Sequence, residues 1–141
     1  MSRVALLMLC ACAAAQVRRD VPAGPVDGPT AKQLVADGAR LVDVRAPDYY
    51  AKGHIEGAIN IPWQQIEVRA EEIGPITTPI VLYCRTGQGA ANAYATLTRI
   101  GYRRVYVLGS YLNWGEGAPA PTPLPAATTM PQDACPAGPP R

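Results

Sequence analysis

The stretch Val81-Leu82-Tyr83-Cys84-Arg85-Thr86-Gly87-Gln88-Gly89-Ala90-Ala91-Asn92 sets a cysteine between a short apolar run and an alanine-rich one. Upstream, Pro79-Ile80-Val81-Leu82-Tyr83 has the length and apolar content of a buried strand. Downstream, Ala90 to Ile100 consists largely of helix formers, with Ala93, Leu97 and Ile100 at helical spacing. Cys84 therefore ends a strand, and the glycine-punctuated loop after it curls into a helix N-terminus. Unpaired backbone N–H groups and about half a positive charge from the helix dipole converge there, which favours an anion held in the loop. A cysteine in that place is expected to have a depressed pKa and to be nucleophilic near neutral pH. Gly87 and Gly89 are expected to let the loop turn its amides inward, because glycine takes left-handed angles without steric cost.

Outward from this centre the chain alternates strand and helix signals. Thr30-Ala31-Lys32-Gln33 reads as a capping box opening a short helix, with Leu34 and Val35 as its apolar residues and Gly38 as its stop. A strand is expected over Arg40 to Val44, a helical turn over Pro47 to Ala51, a short strand over Ile59 to Ile61, and a helix over Trp63 to Ile73 with Ile66 and Ile73 in phase. After the Ala90 helix, Gly101 is the expected C-cap and Val105 to Leu108 the last strand. Strands separated by helices, several of them continuously apolar, predict an α/β fold: a central parallel sheet flanked by helices on both faces.

The 141 residues suit one small domain with appendages. Met1-Ser2-Arg3 followed by Val4 to Ala15 has the basic start, apolar run and small-residue end of a signal peptide, so residues 1–15 are expected to be a leader. Leu9-Cys10-Ala11-Cys12 resembles a bacterial lipobox, in which case Cys12 carries a lipid and tethers the protein to a membrane; ordinary cleavage near Ala15 is the alternative. Either outcome places the mature domain outside the cytoplasm, in the periplasm or anchored to the membrane. Residues 16–29 are expected to form a spacer, with Pro22, Pro25 and Pro29 breaking any helix. Residues 30–117 make the domain. Eight of the fifteen prolines fall in residues 118–141, which are expected to be disordered or extended because they offer little to a core.

The formal charge of +2 comes without a basic run, so nucleic acid is not expected as a partner. With Cys10 and Cys12 in the leader, Cys84 and Cys135 remain, too few for a disulfide framework. There is no Cys-x-x-Cys pair, and the sole histidine, His54, has no metal-ligand spacing to any cysteine. Nothing in the pattern calls for a metal or a cofactor. A nucleotide-binding loop is disfavoured because Gly87-Gln88-Gly89-Ala90-Ala91-Asn92 lacks a third glycine and has no following Lys-Ser/Thr.

A second cluster carries a family resemblance. Leu41-Val42-Asp43-Val44-Arg45, then Gly53-His54-Ile55-Glu56-Gly57-Ala58-Ile59-Asn60-Ile61-Pro62, then Cys84-Arg85-Thr86-Gly87-Gln88-Gly89, and finally Val105 to Ser110 with Trp114, resemble in order the motifs of the rhodanese-like domain. The resemblance runs from about Thr30 to Gly117 and implies a single-domain, monomeric sulfurtransferase. It implies Cys84 as the persulfide-forming nucleophile, with Arg85, Thr86, Gly87, Gln88 and Gly89 forming the substrate-binding loop. The implied partners are a small sulfur-containing anion such as thiosulfate and a thiophilic acceptor, cyanide or a thiol. Gly89 departs from the pattern, since many members place Arg, Lys, Ser or Thr at the end of this loop. A longer loop ending in arginine would point to a phosphatase or arsenate reductase, and Gly89-Ala90 supplies neither. In the resemblance His54 holds a loop by hydrogen bonding; as the sole histidine it is also the one candidate for a general base. Asp43 and Arg45 read as strand-end ties, and Trp63 and Trp114 as packing residues. A thiol redox or binding module that does no turnover, with Cys84 pairing with Cys135, is the alternative reading.

Overall fold

The computed structural model describes residues 21–119. Expectations for the leader, for Cys10, Cys12 and Cys135, and for all but the first two residues of the segment 118–141 lie outside these residues. Five parallel strands form one sheet: β1 (Gly24–Pro25), β2 (Arg40–Asp43), β3 (Ile59–Asn60), β4 (Ile80–Cys84) and β5 (Val105–Ser110), in the order β1-β5-β4-β2-β3. The helices are α1 (Gly28–Ala36), α2 (Pro47–Lys52) and α3 (Gln88–Arg99), and a 3₁₀ turn over Tyr111–Trp114 follows β5.

All five residues of β4 are buried, as expected for the middle strand of a parallel sheet covered on both faces. Alternation along it divides the core. Ile80, Leu82 and Cys84 face one layer with Val42, Ile66, Ala90, Ala93 and Leu97, whereas Val81 and Tyr83 face the other with Leu34, Leu41, Tyr106 and Tyr111. Where β4 meets β5 the register slips between Leu82 and Tyr83, which pair with Val107 and Gly109, leaving Leu108 as an extra residue. Such a bulge increases local twist and re-aims the strand end, here beside Cys84.

Four local expectations are corrected. The helix expected to open with a capping box at Thr30 starts earlier: Asp27 is its N-cap, and Asp27 Oδ1 accepts the Thr30 N–H at 2.9 Å. Pro29 lies in the first turn, where its missing N–H leaves no gap in the helix ladder. The supposed spacer over 16–29 is therefore structured at its end, since β1 pairs with β5 and Gly28 is buried against the turn after β5. The helix expected over Trp63 to Ile73 is instead two 3₁₀ turns, Trp63–Gln65 and Ala70–Glu72. Ile66, Ala70 and Ile73 are all buried, so the apolar spacing reports burial, while hydrogen bonds such as Ile73 N–H to Ala70 O at 3.0 Å follow the tighter three-residue pattern. Finally, Gln88 and Gly89 belong to α3, leaving Arg85, Thr86 and Gly87 as the connection after Cys84. Smaller shifts of one or two residues occur at strand ends, β5 running on to Ser110, and Gly38 and Gly101 lie just beyond the C-caps Asp37 and Ile100.

Candidate active site

Cys84 closes β4 at the carboxyl end of the sheet, where ligands of open parallel α/β sheets are bound. It is 2% exposed and forms no disulfide among the described residues. The Gly87 N–H donates to Cys84 Sγ at 2.9 Å. Gly87 achieves this as the N-cap of α3 with φ +98°, a left-handed angle that would strain any residue bearing a Cβ. The loop thus turns one amide onto the sulfur and brings the N-terminus of a 12-residue helix to the same place. A negative charge developing on sulfur, or on an atom attached to it, meets a preorganised donor and the positive end of the helix.

The remaining loop residues divide by role. Arg85 is half-buried, with its guanidinium carbon 5.7 Å from the centroid of the Tyr49 ring. Thr86 is exposed. Gln88 directs its side chain along α3, where Nε2 donates to Asn92 Oδ1 at 3.3 Å. Gly89 is buried in the first turn of α3, so it contributes backbone and no side chain. Tyr49 and Lys52, both on α2, join this rim through Arg85: Lys52 Nζ lies 5.6 Å from the same Tyr49 centroid. Sequence reasoning gave neither a role, because the spacing of α2 predicts only a helical turn. The available signal was composition, a tyrosine and a lysine three residues apart on one short helix.

Asp43, Arg45 and His54 brace the surroundings. The buried Arg45 guanidinium donates from Nε to Asp43 Oδ1 at 2.9 Å and from Nη2 to Oδ2 at 2.6 Å, and Nη2 also donates to the Gly53 carbonyl at 2.7 Å. Burial alone would lower the Arg45 pKa, but the hydrogen bond and charge of Asp43 outweigh it and the net shift is upward. The Tyr83 hydroxyl accepts the Ile55 N–H at 3.1 Å; burial, then the Asp43 charge, push its pKa well above the ordinary tyrosine value. Asn60 Nδ2 donates to the carbonyls of Asp43 and Arg45 at 3.0 and 2.9 Å, tying β3 to the end of β2. His54 is exposed, stacks on Tyr50 with centroids 3.8 Å apart, and donates from Nδ1 to the Tyr50 carbonyl at 3.0 Å. Its hydrogen bond is to α2 and not to the thiol. Trp63 and Trp114 are partly buried against opposite core layers.

Comparison with known proteins bears on this arrangement. The family model for the rhodanese-like domain matches residues 29–116. The uncharacterized protein YqhL of Bacillus subtilis is 40% identical over 78 residues, which are 55% of this chain and 61% of that protein. The thiosulfate sulfurtransferase GlpE of Pseudomonas paraeruginosa is 34% identical over 93 residues, covering 65% of this chain and 84% of its own length. Among solved structures, the human single-domain sulfurtransferase TSTD1 superposes with a TM-score of 0.57 at 28% identity, covering 67% of this chain and 95% of that one. A thiol at the end of a parallel strand, a glycine-capped helix above it, and these matches have one reading: the chain belongs to the rhodanese-like domain family.

Proposed function

We propose that the protein is a sulfurtransferase that carries sulfane sulfur on Cys84. The observation that supports this reading most directly is the Gly87 N–H held 2.9 Å from Cys84 Sγ at the start of α3. In the first half-reaction the Cys84 thiolate attacks the outer sulfur of thiosulfate. A sulfur–sulfur bond forms to cysteine, the sulfur–sulfur bond of thiosulfate breaks, and its electron pair leaves with sulfite. The product is a cysteine persulfide anion, whose charge the Gly87 amide and the α3 N-terminus stabilise. In the second half-reaction an acceptor attacks the outer sulfur and the Cys84 thiolate is regenerated: cyanide leaves as thiocyanate, a thiol as a persulfide. Neither step needs a proton from His54, which agrees with its bond to the Tyr50 carbonyl. Arg85 is the cation next to the nucleophile, and thiosulfate, named for a relative, is the donor to try first.

The test is the intact mass of the reduced protein after incubation with thiosulfate, beside a Cys84→Ser variant. Gain of one sulfur atom only where Cys84 is present is the expected result. No gain, with loss of two hydrogens on mild oxidation, would favour the redox-module reading instead. We also propose that the N-terminal segment is an export leader, ending either before an acylated Cys12 or, without acylation, near Ala15; incorporation of labelled palmitate that is abolished in Cys12→Ser would select the first form, and unlabelled protein cleaved near Ala15 the second.

A further inference from the structure

Two cations converge on one aromatic ring beside the Cys84 loop. Arg85, the residue after the nucleophile, has its guanidinium carbon 5.7 Å from the Tyr49 centroid, and Lys52 has its ammonium nitrogen 5.6 Å from it. Both distances lie within the range where a ring's negative face attracts a cation. Neither Arg85 nor Lys52 forms an ion pair among the described residues, whose three ion pairs are Asp43–Arg45, Arg69–Glu72 and Arg99–Glu67. Asp48, the carboxylate next to Tyr49 in the chain, is exposed and pairs with neither. Two like charges gathered by one ring repel each other, and an anion reaching the loop would relieve that repulsion.

We propose that Tyr49 is a positioning residue that gathers Arg85 and Lys52 into a cationic lip at the mouth of the Cys84 loop, favouring small anionic sulfur donors over neutral ones. The anionic-donor part rests on the sulfurtransferase reading above; the lip itself does not. The lip also accounts for how the loop selects an anion although Gly89, buried in α3, offers no side chain to hold one. Tyr49 acts through the two cations and touches no reacting atom.

The experiment alkylates Cys84 in the purified protein with iodoacetate, an anion, and in parallel with iodoacetamide, its neutral analogue. The ratio of the two rates, normalised to a free small thiol, reads the potential at the sulfur without requiring turnover. In the wild type this ratio is expected to exceed that of the free thiol and to fall as salt is added. Tyr49→Leu should lower it by about two- to fivefold, the factor expected from one exposed cation–ring contact. It should raise KM for thiosulfate by a similar factor with kcat near the wild-type value. Tyr49→Phe, which keeps the ring face, should restore both quantities. Lys52→Gln should lower the ratio with Tyr49 in place, so the idea stays exposed to refutation if Tyr49→Leu does not fold. An unchanged ratio in folded Tyr49→Leu or in Lys52→Gln would overturn the proposal, and so would a Tyr49→Phe variant as impaired as Tyr49→Leu. Absence of thiosulfate turnover in the wild type would overturn the sulfurtransferase reading, while the alkylation ratio would still decide the lip.

Discussion

Cys84 lies among apolar neighbours such as Ala90 and Ala93, yet it accepts a backbone N–H from Gly87. That combination makes its replacement informative: Cys84→Ala fits the same space and should abolish sulfur transfer while leaving the thermal midpoint close to that of the wild type. His54→Ala should behave in the opposite way, lowering the thermal midpoint through loss of the Tyr50 contacts with kcat preserved. If kcat instead fell with the fold intact, the structural assignment of His54 would be wrong. Arg45→Met should cost about 3–5 kcal/mol in a urea titration, because it strands the buried Asp43 carboxylate without its partner. The positions of Cys84, Asp43 and Arg45 were readable because they depend on where strands end, and strand ends are marked by apolar runs meeting polar residues. Tyr49 was not readable, because its place depends on Arg85, distant in sequence and brought near only by the pairing of β2 with β4.

At the level of elements, α3 is held by Ala90, Ala93 and Leu97 packed on β4 and β5. Leu97 is fully buried, so Leu97→Ala should cost about 2–5 kcal/mol, measured as a shift in denaturant midpoint. Gly28, at the first position of α1, passes so close to the turn after β5 that a Cβ would overlap the Asn113 carbonyl. Gly28→Ala should therefore cost about 1–3 kcal/mol as the backbone shifts to make room, although alanine is the better helix former. A stability equal to the wild type would mean that α1 can move freely against that turn. The elements β2, β4, α3 and β5 were legible within a few residues, since each carries its own apolar pattern. By contrast β1 is two residues long and exists only because β5 is beside it, so no local pattern announces it. The paired 3₁₀ turns before β4 were misread for a related reason: three buried positions at helical spacing do not require a continuous helix.

For the molecule as a whole, Tyr83 links the middle strand to the segment around Ile55, and its raised pKa has a consequence for alkaline stability. The folded state holds the phenolic proton to higher pH than the unfolded chain does. That contribution is fully present below pH of about 10, the unfolded tyrosine value, and is lost as pH rises beyond it. Tyr102, raised by burial, acts in the same direction. Tyr83→Phe should flatten part of the fall in urea midpoint above that pH, and an unaltered slope would remove Tyr83 as its source. The sheet's layout also bears on how the protein survives in concentrated solution. Its most apolar strand, β4, is enclosed by β2 and β5, while the two outermost strands, β1 and β3, offer only two residues each. A second chain looking for a free ladder to extend would find a foothold of two residues on either flank. The architecture that places a thiol at the end of a hydrophobic strand therefore also keeps that strand from serving as a template for aggregation.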